Sequence, residues 1–345
     1  MKIVVERNIP FMDAIESVAE VVRLAPEDIT KQKVKDADVL VVRTRTRCDA
    51  ALLEGSSVKM VATATIGTDH IDMQWCKSAD IEVVSAPGCN APAVAQYVFS
   101  SLLRVANRPL GHHTLGIVGV GHVGGIVERW ARGLGMKLML CDPPRQAAGH
   151  PGQWHSLIDL ARQADIITFH TPMTRQGEHP TYHLADTSFF SSLQRAPIII
   201  NSARGPVVDN DAWVDAIEAG VAGPAIVDCW EGEPDINPRL LEAASIATPH
   251  IAGYSFDGKA RASQMVLDAI CRRFLPDGQT LGCGATFCHV PVYIKASDAL
   301  AYNPTIDSIQ LKTAADIKTA FEQLRNTYKL RPEIQCRFNG RPVKL

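Results

Sequence analysis

Several absences narrow the function of this chain before any motif is read. No apolar run approaches the ~20 residues that an α-helix needs to cross a bilayer. The opening Met1-Lys-Ile-Val-Val-Glu-Arg7 goes straight into an alternating strand without the apolar core of a signal peptide. A cytoplasmic protein with no membrane partner is expected. The nine cysteines are odd in number and include no C-x-x-C pair, which argues against a disulfide framework. Cys283-x4-Cys288-His289 comes nearest to a metal motif but lacks a second ligand pair, so no metal is expected. Charge of one sign is also missing: 35 Lys and Arg stand against 37 Asp and Glu, a net charge of −2. There is no general attraction for nucleic acid, and any bound anion must be held by local groups.

What is present is the composition of a globular protein, 46% hydrophobic and 21% charged over 345 residues. At roughly 150 residues per domain, that length implies two or three domains. The stretch Thr114-Leu-Gly-Ile-Val-Gly-Val-Gly-His-Val-Gly-Gly125 organises the rest. A short apolar run suited to a strand leads into Gly119-x-Gly121-x-x-Gly124 and then an amphipathic helix from Ile126 to Leu134. Such a turn lets the backbone approach a pyrophosphate and aims a helix N-terminus at its charge. The next apolar run, Met136 to Cys141, ends at Asp142, the acid expected about 20 residues on to bind the adenosine ribose. An acid there repels a 2′-phosphate, so NAD is the expected cofactor. Arg145 either stacks on the adenine or weakens that preference.

Before this fingerprint, strands Ile3–Glu6, Val39–Arg43, Met60–Thr65 and Glu82–Ser85 alternate with helices Phe11–Val18, Ala50–Leu53 and Met73–Ala79, an α/β domain of its own. A hydride-transferring enzyme needs such a second domain to carry substrate, and here it comes first. Arg43, Arg45 and Arg47 fall on alternate positions after a strand, which on an extended chain gives one cationic edge suited to a phosphate, or else a solvated strand end. Thr63–Asp72 is rich in hydroxyls and backbone donors. It either grips a carboxylate or caps the helix that follows. Asn90 is expected to cap the apolar helix Ala91–Ala106, near a domain boundary at residue 92.

After the fingerprint the rhythm continues with strands Ile166–His170, Pro197–Asn201, Ala225–Asp228 and Ser245–Ala247 and helices between them. This predicts a doubly wound parallel sheet whose ligand sits at the strand C-termini. Those ends hold Asp142, Thr171, Asn201 to Gly205, Asp228 and His250. Arg204 offers a planar fork for a carboxylate. His250 is suited to take the hydroxyl proton as hydride leaves the same carbon. Glu233, on the far ring nitrogen, would fix its tautomer.

The motifs Gly119-x-Gly-x-x-Gly124, Phe169-His-Thr-Pro172, Asn201-x-x-Arg-Gly-x-Val-Val-Asp209, Asp228-x-Trp-Glu-Gly-Glu-Pro234 and Thr248-Pro-His-Ile-Ala-Gly253 resemble the D-2-hydroxyacid dehydrogenases. The resemblance implies a Rossmann NAD domain at 93–253, a flavodoxin-like substrate domain at 1–92 and 254–276, and a shortened α+β dimerisation domain at 277–345. It implies catalytic Arg204, Glu233 and His250. It implies NAD contacts from His122, Val123, Asp142, Thr171, Ser202, Ala203, Asp228 and Gly253, beside Gly119, Gly121 and Gly124. Substrate contacts would come from Thr44, Thr65 and Tyr254, with Arg43 beside them, and which of Arg43, Arg45 and Arg47 meets the phosphate stays open. Thr44, Gln96 and His122 stand where the family usually has serine, glutamate and asparagine. The partners it implies are a small phosphorylated 2-hydroxy acid and a second copy of the chain. Two other readings fit the same motifs: a phosphoglycerate-type dehydrogenase, and an NADH-sensing corepressor-like binding protein.

Overall fold

Runs such as Val39–Val42 and Ile198–Asn201 are buried at every position, the pattern of strands covered on both faces, and they pair in parallel. Two sheets are built this way in the computed structural model of the protein. It describes residues 1–276, 278–285, 290–291, 294–334, 337–338 and 341–342. The chain divides into two compact units, Met1–Asn90 with Ser255–Cys288, and Ala91–Tyr254 with His289–Val343.

The first unit holds β1 (Lys2–Glu6), β2 (Glu20–Leu24), β3 (Val39–Val42), β4 (Met60–Thr63) and β5 (Glu82–Val84), in the order β2-β1-β3-β4-β5. This is the flavodoxin-like order, whose direction reverses between β1 and β3. The helix Phe256–Phe274 packs on this sheet, burying Ala260, Val266, Leu267 and Ile270 in one cluster with Ile3, Val5 and Met60. Ser255 starts it, its hydroxyl accepting from Gly258 N at 2.9 Å.

The second unit holds β6 (Thr114–Val118), β7 (Lys137–Cys141), β8 (Ile166–Phe169), β9 (Ile198–Asn201), β10 (Ala225–Val227) and β11 (Ile246–Ala247), in the order β7-β6-β8-β9-β10-β11. Its register aligns one row of residues across the sheet: Cys141, Val118, Phe169, Asn201, Val227 and Ala247. One residue further on, Asp142, Gly119, His170, Ser202, Asp228 and Thr248 therefore leave the sheet along a single edge. The fold is α/β and doubly wound.

The structure differs from the sequence reading in several elements. β2 and the short helix Lys31–Val34 were not anticipated, because β2 is half exposed and lacks a continuous apolar run. The helix expected over Phe11–Val18 is a 3-10 turn, Asp13–Ser17, after Phe11 takes φ 60°. Near the end of the described chain stand two helices, Pro304–Lys312 and Ile317–Asn326. Asn303 and Asp316 cap the two, accepting from Thr305 N and Thr319 N. Asn90 does not cap as expected, since its buried Oδ1 has no hydrogen-bond partner.

The stretch 277–345, expected as a small domain of its own, is instead divided between the two units. Leu311 and Phe321 enter one apolar cluster of the second unit, and Ile294, Ala299, Tyr302 and Ile334 enter another. Among the described residues no helix is long and apolar enough to cross a membrane.

Candidate active site

At the start of the second unit's C-terminal edge, β6 passes through Gly119, at φ 85°, into the helix His122–Gly133. A side chain at Gly124 would bring its Cβ to 2.0 Å from Gly119 O, so only glycine lets the helix sit this close to the strand. A Cβ at Gly121 would meet nothing within 4 Å, which leaves that side of the loop open for a ligand. Asp142 supports the loop from β7: it accepts from Val120 N at 2.7 Å and from Arg145 N at 3.1 Å. Arg145 closes back over the loop through Val120 O at 2.9 Å. His122 is exposed and Val123 half-buried at the helix start.

The fit of a dinucleotide to this edge can be judged from its buried polar atoms. Thr171 Oγ1 and Ser202 Oγ are both buried without a hydrogen-bond partner. Native interiors rarely leave such groups unsatisfied, at a cost of about 1–3 kcal/mol each, unless a ligand completes them. Both stand just past the row of strand ends, with Ala203 beside Ser202. The residues present therefore fit NAD. His170, between these positions, is pushed down to about 3 by burial and meets Thr168 Oγ1 at 3.0 Å, a neutral structural imidazole.

A histidine–carboxylate pair stands further along the edge. His250 Nδ1 meets both oxygens of Glu233, at 2.8 and 3.0 Å. Glu233 in turn accepts from Trp230 N at 2.9 Å, and Arg325 lies 3.8 Å from its other oxygen. Burial works against a charged imidazolium, but the neighbouring groups outweigh it and hold the His250 pKa well above the ordinary histidine range. Cys229 is the first of these neighbours and Glu233 the second, and burial raises the Cys229 thiol itself. The Glu233 carboxyl is lowered: burial opposes this, and the charge of His250 prevails. One ligand atom each from Cys229, Glu233 and His250 lie within 4.8 Å of one another.

Backbone geometry aims this histidine. His250 takes φ 56°, a left-handed conformation that costs a non-glycine residue about 1–3 kcal/mol and persists only where its surroundings impose it. Asp228, 1% exposed, helps impose it by accepting from Ile251 N at 2.8 Å, Ala252 N at 3.0 Å and Thr248 Oγ1 at 2.6 Å. Tyr97 OH completes the chain at 2.8 Å from Thr248 Oγ1. Burial, the largest influence on Asp228, raises its pKa despite these bonds. Arg204 sits on a turn shaped by Asn201, whose Nδ2 donates to Arg204 O at 3.0 Å and Gly205 O at 3.3 Å. Gly205 is obligatory there, because a Cβ would stand 1.8 Å from Trp230 O. Gly253 and Tyr254 end the His250 loop half-buried, and Arg325 Nε donates to Tyr254 OH at 3.1 Å.

In the first unit, the expectation of one cationic edge fails. β3 ends at Val42 and the chain turns at Thr44 and Arg45, so alternate positions no longer share a direction. Arg43 is bound by the fully buried Glu6, its Nε at 2.7 Å and its backbone N at 2.9 Å. Arg47 pairs with Asp49 at 2.8 Å. Thr44 is exposed on this turn. Thr65 Oγ1 lies 2.6 Å from Thr63 Oγ1 and donates to Gly67 O at 3.3 Å.

Sequence reasoning missed Tyr97, Cys229, Arg325 and Arg331, which surround His250 and Glu233 or the loop between them. Cys229 fills the open position of the Asp228–Pro234 motif and the other three lie in no motif, the two arginines well past the last of them. Cys288 and His289, from the metal-like spacing, lie outside the described residues.

A parallel sheet whose dinucleotide loop shares an edge with a carboxylate-oriented histidine defines an NAD-dependent oxidoreductase acting on a CH–OH group. The sequence model described as "D-isomer specific 2-hydroxyacid dehydrogenase, NAD binding domain" matches residues 94–252. Among solved structures, D-lactate dehydrogenase from Aquifex aeolicus complexed with NAD and lactic acid shares the fold. It superposes with a TM-score of 0.67 at 24% identity, over 78% of this chain and 94% of that one.

Two relatives narrow the family further. Erythronate-4-phosphate dehydrogenase of Bacteroides thetaiotaomicron is 47% identical, covering 96% of this chain and 97% of its own length. That of Klebsiella pneumoniae is 42% identical, covering 97% and 94%. The chain belongs to the erythronate-4-phosphate dehydrogenase family.

Proposed function

We propose that the protein oxidises 4-phospho-D-erythronate with NAD to (R)-3-hydroxy-2-oxo-4-phosphooxybutanoate, in the cytoplasm, as a step of pyridoxal 5′-phosphate (vitamin B6) biosynthesis. The observation that carries this reading is the His250–Glu233 pair, standing on the same strand edge as the dinucleotide loop. Glu233 takes Nδ1, and the alcohol proton goes to Nε2 as the C2–H bond breaks and the C=O bond forms. NAD, when bound, accepts the hydride.

Arg204 holds the substrate carboxylate with its planar fork, close to the carbon that reacts. Gly119, Gly121, His122, Val123 and Gly124 line the pyrophosphate, and Asp142 takes the ribose. Thr171, Ser202, Ala203, Asp228 and Gly253 complete the cofactor site, the two orphaned hydroxyls supporting this assignment. Arg43, Thr44, Thr65 and Tyr254 serve the substrate. The acting form is a homodimer. Leu300, Ile306 and Ile309, exposed at 46%, 57% and 56%, give the C-terminal helices an apolar surface for a second copy.

The test is NADH formation from 4-phosphoerythronate compared with 3-phosphoglycerate. Turnover that prefers the four-carbon acid and disappears in His250→Ala supports the proposal. Preference for phosphoglycerate would reassign the substrate, and NADH binding without turnover of either acid would make the chain a sensor.

A further inference from the structure

The loop that carries His250 has both sides of its backbone held. Asp228 takes the N–H groups of Ile251 and Ala252. The carbonyls of the same loop are held by Arg331, which comes from the C-terminal stretch. Its NH1 donates to Ile251 O at 3.1 Å and Tyr254 O at 2.9 Å, and its NH2 to Ala252 O. NH2 also reaches Ala93 O at 3.1 Å, at the start of the helix Ala91–Val105. The guanidinium is 7% exposed and lies over the Tyr302 ring, its carbon 4.1 Å from the centroid. A guanidinium carries its donors in a rigid planar fork, so one spent on several carbonyls fixes where those carbonyls stand relative to one another.

The held segment follows directly on His250, whose left-handed φ of 56° must be imposed from outside. We propose that Arg331 is a positioning residue for His250: by holding the carbonyls of Ile251, Ala252 and Tyr254, it keeps the imidazole where Nδ1 meets Glu233. This rests on the reading of His250 as the proton acceptor. It gives the C-terminal stretch a part in the chemistry, although Arg331 lies outside residues 94–252 matched by the dehydrogenase family.

A purely structural Arg331 would anchor the C-terminal stretch and leave the chemistry alone, so the test must separate the two. Arg331→Met and Arg331→Lys are made in the wild type and in Glu233→Gln. NADH affinity is measured by fluorescence, and kcat is followed against pH in the direction of 2-oxo acid reduction. Displacing a reacting group by about 1 Å costs up to ~100-fold in rate, so Arg331→Met is expected to lower kcat about 10- to 100-fold while NADH affinity holds. The high-pH limb of reduction moves to lower pH as His250 loses Glu233. Glu233, Cys229, Asp228 and Arg325 are intact in the single variants, so the limb reports the placement of the ring.

Arg331→Lys, which keeps a charged donor, recovers part of kcat. In the Glu233→Gln background the further loss from Arg331→Met shrinks to about 3-fold or less, the non-additivity of residues acting through one contact. Unchanged kcat and an unmoved limb, or full additivity with Glu233→Gln, would overturn the proposal. If Arg331→Met does not bind NADH, Arg331→Lys decides by the same readouts. Failure of the underlying reading looks different: wild-type protein inactive on both phosphorylated acids, or full activity in His250→Ala.

Discussion

The loop at Gly119 and the loop at His250 leave the same edge of one sheet, yet they are shaped by opposite means. The first is defined by missing side chains: Gly124 packs against Gly119 O and Gly121 opens toward a ligand. The second is defined by added ones, with Asp228 on its amides, Arg331 on its carbonyls and Glu233 on its imidazole. A backbone that must touch a polyanion gains from having nothing in the way. A ring proposed to pass a proton needs every direction fixed.

The widest test of this contrast is His250→Ala. Loss of a positioned acid–base group is expected to lower kcat by about 100- to 10,000-fold, while NADH affinity by fluorescence titration stays within error. A large loss of NADH binding would show that the two loops are not separable.

Glu233→Gln comes next. It removes the anion that keeps the proton on His250, so the pKa of that ring falls toward the ordinary ~6.5. Reduction needs the imidazolium and is lost as pH rises through the pKa; oxidation needs the neutral ring and is gained there. In the wild type that crossover is expected above the ordinary histidine range, because the neighbours of His250 raise its pKa. In the variant both limbs should shift to lower pH, with kcat down by roughly 10- to 100-fold. An unmoved profile would exclude Glu233 as the source of the shift.

Gly124→Ala and Gly121→Ala sharpen the other side. The first puts a Cβ 2.0 Å from Gly119 O and should destabilise by about 1–3 kcal/mol, read as a lower Tm. The second meets no protein atom within 4 Å, so it should weaken NADH binding with little change in Tm. The smallest effect is expected from Tyr97→Phe, which removes one hydrogen bond to Thr248 and costs about 1 kcal/mol of stability. An equal loss of kcat there would extend the proton loop's support as far as Tyr97.

This contrast also explains what could be read from the amino-acid order. Gly119, Gly121 and Gly124 form a local pattern, because one tight turn must be written within a few residues, and Asp142 follows at the end of the next apolar run. The strand ends were legible for the same reason, each apolar run stopping at the polar residue that leaves the sheet. Arg331 and Arg325 were not, since their contacts are made by the fold and carry no local signature. The arginine edge misled because alternation was extended beyond Val42, where the chain turns and Glu6 captures Arg43. β2 escaped notice because a half-exposed edge strand has no continuous apolar run.

Neither unit is a continuous piece of chain, and this bears on synthesis. The first sheet lacks the helix Phe256–Phe274 until that segment has left the ribosome. The second lacks Phe321 in its interior and Arg331 on the His250 loop until those residues have been made. Domains commonly fold in order as they emerge. Here each sheet gains part of its cover only from segments that follow its strands in the chain.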